Sequence, residues 1–239
     1  MTSIPAAAPG AAGKPRWLPA LPVLVRSMLP AALVALVALV ASVWSAHGAP
    51  LGVDEALHRW VLEHRPRWAV ASAVAVTVTG SGVPAYLLAM LAGAMSVRTH
   101  RLRGALAGAL ALVSVQLPRM ALASWLARPR PPAGEWAWSA DGYAMPSGHT
   151  TTSAAVAVLL TAGVHRAVRG RARRPLLVIP ALWAAAVGVS RVYLGMHWPT
   201  DVLAGWLLTA LWAGLLGTVL ILLRRRKAGA VPANEGEGT

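Results

Sequence analysis

Long apolar runs recur along the chain of 239 residues, and each is about as long as a membrane-crossing helix. A hydrocarbon layer of ~30 Å takes about 20 helical residues. We read six such runs, at roughly 24–46, 68–96, 104–127, 148–165, 175–196 and 200–223. With 56% hydrophobic and 13% charged residues, the composition is typical of a polytopic membrane protein. The sequence therefore predicts an all-α membrane bundle of six transmembrane helices.

The ends of the chain differ in composition from the apolar runs. The first run carries no small-residue cleavage site before a soluble domain, so we predict a retained span and not a signal peptide. Residues 1–22 are predicted to be a disordered tail, 23–223 a single membrane domain, and 224–239 a basic and then disordered tail. The chain has no cysteine, which excludes disulfides, zinc–thiolate sites and thiol nucleophiles.

The net charge of +14 follows the alternation of the predicted spans. Of 22 Lys and Arg residues, 15 fall in four segments: before the first span, between spans two and three, between spans four and five, and after span six. With six spans, these segments share one side of the membrane, so the positive-inside rule places both termini in the cytoplasm. Basic segments of this kind contact anionic lipid headgroups. We expect no nucleic-acid partner, because no recognition module is visible.

The opposite side of the predicted bundle carries six of the eight acidic residues and many of the tryptophans, which fits an outer membrane interface. Within it, the segment VDEALHRWVLEH, residues 53–64, alternates between two faces at helical spacing. Its apolar face comprises Val53, Leu57, Trp60 and Val61, and its polar face comprises Asp54, Glu55, Arg59 and Glu63. This pattern predicts an amphipathic helix that lies in the outer interface.

Three polar stretches lie on this outer side although they come from different spans. ARPRPP (127–132) leaves span three, MPSGHT (145–150) enters span four, and SRVYLGMHWPTD (190–201) connects spans five and six. Ionisable groups beside hydrocarbon are costly and usually mark a functional site. The stretches bring together Arg128, Arg130, Ser147, His149, Arg191, His197 and Asp201. Because guanidinium forks neutralise phosphate and histidines transfer protons or attack, the set predicts phosphoryl chemistry.

The spacing of these residues predicts where they lie relative to the ends of the helices. Ser147 and Gly148 precede span four, whose N-terminal N–H groups can then bind an oxyanion, and His149 lies on the first turn. His197 lies at a break between two helices, with Asp201 in the first turn of the next one. A carboxylate there can accept a hydrogen bond from Nδ1 of the imidazole and leave Nε2 free to react.

Three motifs carry a resemblance to a known family. They are Arg130-Pro131, Pro146-Ser147-Gly148-His149, and Ser190-Arg191 followed by His197 after five residues and Asp201 after three more. Together they resemble the three-part signature of the type 2 phosphatidic acid phosphatase (PAP2) superfamily, and the resemblance covers roughly residues 50–220. It implies an integral-membrane phosphatase of six spans that acts on a lipid phosphate or diphosphate, with its site on the extracytoplasmic face of the plasma membrane.

The resemblance also implies a role for each matching residue. His197 is the nucleophile that forms a phosphohistidine, Asp201 orients it, and His149 protonates the leaving group. The groups implied to hold the phosphoryl oxygens are Arg130, Arg191, Ser147 and the amide of Gly148. Neither a metal ion nor another cofactor is implied.

One departure from the family pattern concerns a lysine that lies seven residues before the arginine of the first motif. That position is Ala123 here, or Ala121 when the count starts at Arg128. Arg119 lies four residues before Ala123, on the same helical face and one turn deeper. We hypothesise that its long side chain extends outward to replace the missing cation. The alternative is a structural role for Arg119 as a partner of Gln116 within the span.

The remaining ionisable residues have simpler interpretations. Arg128 is predicted to be an interfacial anchor of its span and not a ligand. The other histidines have no partners of this kind in the sequence and are predicted to be interfacial or solvated: His47, His58, His64, His100 and His165.

Two classes of function fit the sequence. The first is a lipid phosphate phosphatase, favoured by the intact pair of histidines and by Asp201. The second is an altered member of the family that binds or transports a lipid phosphate and has lost turnover with the lysine. Undecaprenyl diphosphate, phosphatidylglycerophosphate, phosphatidic acid and other polyprenyl phosphates all present the same group to such a site. An outer location favours a carrier lipid that is recycled on that face.

Overall fold

The computed structural model describes residues 20–97 and 99–229, and within those ranges it is helical with no β-strand. The α-helices are α1 (Ala20–Ser45), α2 (Gly52–Glu63), α3 (Arg67–Val78), α4 (Gly82–Ser96), α5 (Arg101–Leu126), α6 (Gly148–Ala167), α7 (Arg173–Tyr193) and α8 (Pro199–Gly229). The all-α prediction is confirmed for this part of the chain. Helices α1 and α8 extend past the predicted domain limits at 23 and 223, and the rest of both predicted tails lies outside the described residues.

Three of these helices are long and apolar enough to cross a membrane, namely α5, α7 and the part of α8 from Pro199 to Leu223. The pair α3 and α4 passes the same test when it is taken as one broken span. The described residues therefore contain three or four candidate spans, and the count of six remains a prediction. Helix α6 is not among them, because its first two turns carry a run of buried hydroxyl residues from Thr150 to Ser153.

The predicted second span, 68–96, is broken near its middle into α3 and α4. Helices α3 and α4 meet at an angle of 52°. Gly82, the first residue of α4, has φ +58°, which a residue with a side chain rarely adopts. A Cβ at Gly80 would lie 2.4 Å from Val187, so only glycine allows α7 to approach this closely. The break directs the hydroxyl groups of residues 77–81 toward the interior of the bundle.

The bundle is centred on α6, which packs against α4, α5, α7 and α8, while α1 packs on α8 and α3 on α7. Helices α4 and α5 cross at very short range, because a Cβ at Gly108 would lie 2.1 Å from the carbonyl oxygen of Ala89. The central core between them is built from Ala85, Ala89, Leu112, Val115, Ala155, Val156 and Trp212. This packing places the first turn of α6 beside the break between α3 and α4.

The predicted amphipathic helix at 53–64 is present as α2, but one residue of each predicted face, Asp54 and Val61, is buried in the protein. Three of its apolar side chains face outward, and they are Val53, Leu57 and Trp60. The buried stripe consists of Asp54, His58 and Val61. The assignment of Asp54 to an exposed polar face was therefore wrong, because its carboxylate forms an ion pair inside the protein. The outward apolar residues leave α2 suited to a membrane interface.

Candidate active site

The predicted site residues converge at one end of the bundle, where α5 and α7 end and α6 and α8 begin. His197 lies in the short connection between α7 and α8 and is only 1% exposed. Gly195, with φ +78°, follows the end of α7. Pro199 begins α8, where the missing N–H of proline breaks no hydrogen bond of the helix. This turn holds the histidine between two helices instead of on the surface of one.

Both nitrogen atoms of the His197 ring have partners. Nδ1 lies 3.3 Å from Oδ2 of Asp201, and Nε2 lies 2.7 Å from Nη1 of Arg130. A guanidinium can only donate, so Nε2 accepts and the ring proton lies on Nδ1, facing the carboxylate. Burial, together with the positive charges of Arg130 and Arg191, lowers the pKa of His197 well below its ordinary value of 6.5. The ring is thus neutral, and the lone pair of Nε2 faces Arg130, whose guanidinium is a group that commonly binds phosphate.

Asp201 is completely buried in the first turn of α8. Its Oδ2 also accepts a hydrogen bond of 2.8 Å from the backbone N–H of Trp198. Its Oδ1 accepts a bond of 2.6 Å from Nη1 of Arg128. The carboxylate is therefore held on both oxygens while it faces His197, which is the arrangement of an orienting acid.

Arg128 is not an interfacial anchor, and that prediction was wrong. Its side chain is fully buried and bridges Asp201 and Asp54 at 2.6 Å and 2.7 Å. It also donates to the hydroxyl of Thr200 at 2.8 Å. The physical reason is that two buried carboxylates bond the guanidinium directly, and these bonds offset the free energy that it costs to remove the charge from water.

Arg130 connects the loop after α5 to the site. Its guanidinium donates to the carbonyl oxygens of Asp141, Gly142, Tyr143 and Met196, in addition to its contact with His197. The side chain is half-buried, and each of its three nitrogen atoms donates to a group of the protein. This geometry lets Arg130 hold the 141–143 loop while it contacts the reactive nitrogen.

Arg191, at the end of α7, is 1% exposed. Its Nη1 donates to the hydroxyl of Thr77 in α3 at 3.2 Å, and its buried Nε has no hydrogen-bond partner among the described residues. A buried donor without a partner is costly, and a bound oxyanion would satisfy it. Thr77 was not predicted from the sequence, because a lone threonine in an apolar helix carries no motif.

Ser147 and Gly148 begin α6 as predicted, but the side chain of Ser147 does not cap the helix. Its hydroxyl is buried and accepts a bond of 3.0 Å from Thr150, while its backbone N–H donates to the carbonyl oxygen of Asp201 at 3.1 Å. The first N–H groups of a helix have no intrahelical acceptor, so this end of α6 attracts an anion.

His149 is half-buried on the first turn of α6, and its Nε2 lies 2.8 Å from the hydroxyl of Ser81. Ser81 precedes α4 at the break in the predicted second span, so this break supplies a polar contact to the site. One weak signal for it is present in the sequence, the TGSGVP segment at 79–84, whose glycines and proline fit either a kink or a close helix contact.

Arg119 has neighbours that fit each of the two hypotheses. Its Nε donates to Oε1 of Gln116 at 3.2 Å. Its Nη1 also lies 3.5 Å from the position that a Cβ would take at Gly148. The guanidinium therefore lies beside the N-terminus of α6, while Ala123, one turn above it, is buried.

His58 is buried and was wrongly predicted to be interfacial or solvated. Its Nε2 lies 2.7 Å from Oε2 of Glu135, which closes the loop after α5 onto α2. The reason is that α2 turns its Asp54 stripe inward, and His58 follows Asp54 by one helical turn. The other four histidines outside the site, at 47, 64, 100 and 165, are exposed.

Fold and site together define a class of protein, a helical bundle with apolar spans and a histidine–carboxylate pair surrounded by arginines. Residues 31–225 match the family model of the PAP2 superfamily, and the chain therefore belongs to this superfamily.

Individual relatives carry specific names. The chain is 28% identical over 156 residues to phosphatidylglycerophosphatase B of Bacillus subtilis, covering 64% of this chain and 75% of the relative. It is 40% identical over 68 residues to an undecaprenyl-diphosphatase of Sulfolobus acidocaldarius, covering 28% of each. It is also 40% identical over 96 residues to phosphatidylglycerophosphatase B of Escherichia coli, covering 39% of this chain and 35% of the relative. With two of these relatives the match thus spans about a third of their length or less.

Two solved structures share the fold. The crystal structure of a transmembrane PAP2-type phosphatidylglycerolphosphate phosphatase from Bacillus subtilis superposes with a TM-score of 0.69 at 24% identity, covering 82% of this chain and 96% of that one. The crystal structure of LpxE from Aquifex aeolicus superposes with a TM-score of 0.55 at 20% identity, covering 71% and 96%. At these identities the likeness concerns the fold alone.

Proposed function

We propose that the protein is a phosphatase that hydrolyses a membrane lipid phosphate or diphosphate through a phosphohistidine intermediate. The observation that supports this most is the environment of His197, whose Nδ1 faces Asp201 and whose Nε2 faces Arg130 at 2.7 Å. A neutral imidazole with its free lone pair at a guanidinium is prepared to attack a phosphoryl group that the same guanidinium binds. Membership of the PAP2 superfamily supports the same chemistry.

In the proposed reaction, the phosphoryl oxygens displace Nε2 of His197 from Arg130. Nε2 then forms a bond to phosphorus while the bond from phosphorus to the leaving oxygen breaks. His149 enters the reaction protonated, because the negative charge of the bound phosphate offsets the arginines around it; it gives that oxygen its proton, so an alcohol or a shorter phosphate departs. Water next attacks the phosphohistidine, His149 accepts its proton, and inorganic phosphate leaves with His197 neutral again. Asp201 stabilises the charged ring during both steps.

The transferred group carries negative charge on three oxygens, and the proposed ligands surround it with donors. Arg191 offers its buried Nε, which has no partner in the described structure. Gly148 offers a backbone N–H at the start of α6, and Arg119 lies beside that residue. Ser147 is a weaker candidate, because its hydroxyl is buried against Thr150 and would have to turn to reach a phosphate. Such preorganised donors contribute most when charge develops in the transition state.

We further propose that six spans cross the plasma membrane with both termini in the cytoplasm, so that the site opens to the extracytoplasmic face. The support comes from the charges, because the basic segments flank the ends of α4, α6 and α8 that lie away from His197. The relatives' names include a phosphatidylglycerophosphatase and an undecaprenyl-diphosphatase. An outer site favours the second class, a polyprenyl diphosphate that is recycled on that face.

The test is phosphate release by the purified, detergent-solubilised protein. The panel comprises undecaprenyl diphosphate, phosphatidylglycerophosphate and phosphatidic acid, each assayed with EDTA present. We expect turnover in EDTA, because Arg128 already occupies both buried carboxylates, Asp54 and Asp201. His197→Ala should lower kcat by roughly 10³-fold or more, whereas His165→Ala, which changes an exposed histidine far along α6, should not.

Binding or transport of a lipid phosphate without turnover is the second candidate function, and it is favoured by Ala123 at the position of the family lysine. If the protein binds these lipids without releasing phosphate, it is a lipid-phosphate binder or transporter and the proposed reaction is wrong. Activity that EDTA abolishes and Mg²⁺ restores would contradict the proposed mechanism but not the substrate class.

A further inference from the structure

Helix α2 reaches the reaction centre although it lies outside every predicted span. Its Asp54 is completely buried, and Oδ2 accepts a bond of 2.7 Å from Nη2 of Arg128. The same carboxylate accepts from Thr200 twice, from the hydroxyl at 2.8 Å and from the backbone N–H at 3.0 Å. Thr200 is the residue before Asp201, so Asp54 holds the start of α8 through the backbone as well as through the arginine.

Arg128 completes this connection. Its Nη1 bonds Oδ1 of Asp201 at 2.6 Å, and its Nη2 bonds Asp54. It also donates to the hydroxyl of Thr200 at 2.8 Å, and it contacts Sδ of Met145 at 3.8 Å and the carbonyl oxygens of Gly48 and Ala49, both at 3.4 Å. The guanidinium therefore has donors directed at two carboxylates and at the turn that precedes α2, and its hydrogen bonds within the described residues do not include His197 or Arg130.

The charges of Asp54, Arg128 and Asp201 depend on one another. Two buried carboxylates share one buried cation, and removing that cation would leave two carboxylates close together without water. Burial and like charge both favour protonation of one of them. A protonated or rotated Asp201 no longer holds the proton of His197 on Nδ1, so only the contact of Nε2 with Arg130 still favours that tautomer, and its population falls.

We propose that Asp54, Arg128 and Thr200 form a positioning brace for the reaction, which fixes the orientation and charge of Asp201 and, through it, the tautomer of His197. The effect of the brace on kcat rests on the proposed function, whereas its effect on the tautomer of His197 does not. Because Asp54 belongs to α2, the helix whose apolar face points outward also sets the geometry of the site.

The kinetic test uses Arg128→Met and Asp54→Asn, with Arg59→Met and Glu55→Gln as matched controls on the exposed face of α2. Neither brace residue touches the phosphate, so kcat should fall about 10–100-fold, as for other outer-shell partners, with KM within about threefold. Arg128→Lys should recover part of the loss, because a point charge can bond one carboxylate well but not both. Both controls should keep the wild-type kcat.

A double-mutant cycle separates positioning from a general structural role. If the brace acts through Asp201, adding Arg128→Met to Asp201→Asn should lower kcat by less than about threefold more. A full second loss of 10–100-fold would overturn the proposal. So would a loss that appears in KM instead of kcat, or an unchanged kcat in Arg128→Met. If Arg128→Met does not fold, Thr200→Val takes its place, because it removes one hydroxyl that contacts both Asp54 and Arg128.

A readout without substrate keeps the brace distinct from the proposed function. In protein with ¹⁵N-labelled histidines, the His197 signals are assigned by their loss in His197→Ala. Wild type should show the tautomer with the proton on Nδ1, and Arg128→Met, which removes the cation shared by the two carboxylates, should shift the population toward Nε2–H. This shift in a protein that releases no phosphate would support the brace and contradict the phosphatase. An unchanged tautomer in Arg128→Met would overturn the brace even if the enzyme is active.

Discussion

Arg119 offers the sharpest test of how this chain compensates for Ala123. Its guanidinium is half-buried beside Gly148, where the proposed phosphoryl group meets the N-terminus of α6. At about 4 Å and an effective dielectric constant near 20, two unit charges interact by about 4 kcal/mol. Most of that energy is gained in the transition state, which gives roughly 2.7–4 kcal/mol, as for one donor of an oxyanion hole. Arg119→Ala should then lower kcat/KM by roughly 10²–10³-fold.

The assay is phosphate release per correctly folded molecule, measured for Arg119→Ala with and without Ala123→Lys. A lysine at Ala123 restores a cation on the same helical face one turn higher, and it should recover much of the loss. Gln116→Leu is the matched control, because it removes the partner of Arg119 within α5 and keeps the charge. An unchanged kcat/KM in Arg119→Ala, with the same drop in folded yield as Gln116→Leu, would refute the substitution hypothesis.

The remaining predictions concern the role of His149 as the acid, the charge of His197 and the orientation of the protein in the membrane. His149→Ala should slow release of an alkoxide more than release of the terminal phosphate of a diphosphate, because the better leaving group needs less protonation; equal effects on both substrates would contradict its role. Because burial depresses the pKa of His197, its ring should stay neutral at pH 6, where an ordinary histidine is mostly protonated; a ¹⁵N titration with a midpoint at or above 6.5 would contradict this. In intact cells, a membrane-impermeant thiol reagent should label Ala140→Cys, and it should label Gly170→Cys only after permeabilisation; the native chain has no cysteine to interfere, and the reverse pattern would overturn the topology.

The parts of the site that local spacing controls were predictable from the sequence. Asp201 follows His197 by one helical turn across a proline, so their contact needs no knowledge of the rest of the fold. The position of Ser147 and Gly148 at the start of α6 is equally local. The all-helical class followed from the apolar runs, since their length and composition suit helices in hydrocarbon.

The parts that depend on tertiary contacts were not predictable in this way. Helical periodicity placed Asp54 on a polar face, but its ion pair with Arg128, 74 residues away, turns that face inward. A buried carboxylate is tolerated only when it is paired, and Asp54 is paired with both Arg128 and Thr200. Ser81 reaches His149 only because of the 52° break between α3 and α4, whose angle no sequence pattern specifies.

The central claim is a covalent phosphohistidine at His197, and trapping it is the most direct measurement. The protein is mixed with a lipid phosphate that carries a ³²P label in the transferred group, quenched within milliseconds in alkaline detergent, and digested for peptide mapping. A phosphorus–nitrogen bond survives alkali and breaks in acid, whereas an acyl phosphate on a carboxylate behaves in the opposite way. We predict alkali-stable label on the peptide that contains His197, and none in His197→Ala. Turnover without such label, or label on Asp201, would contradict the account.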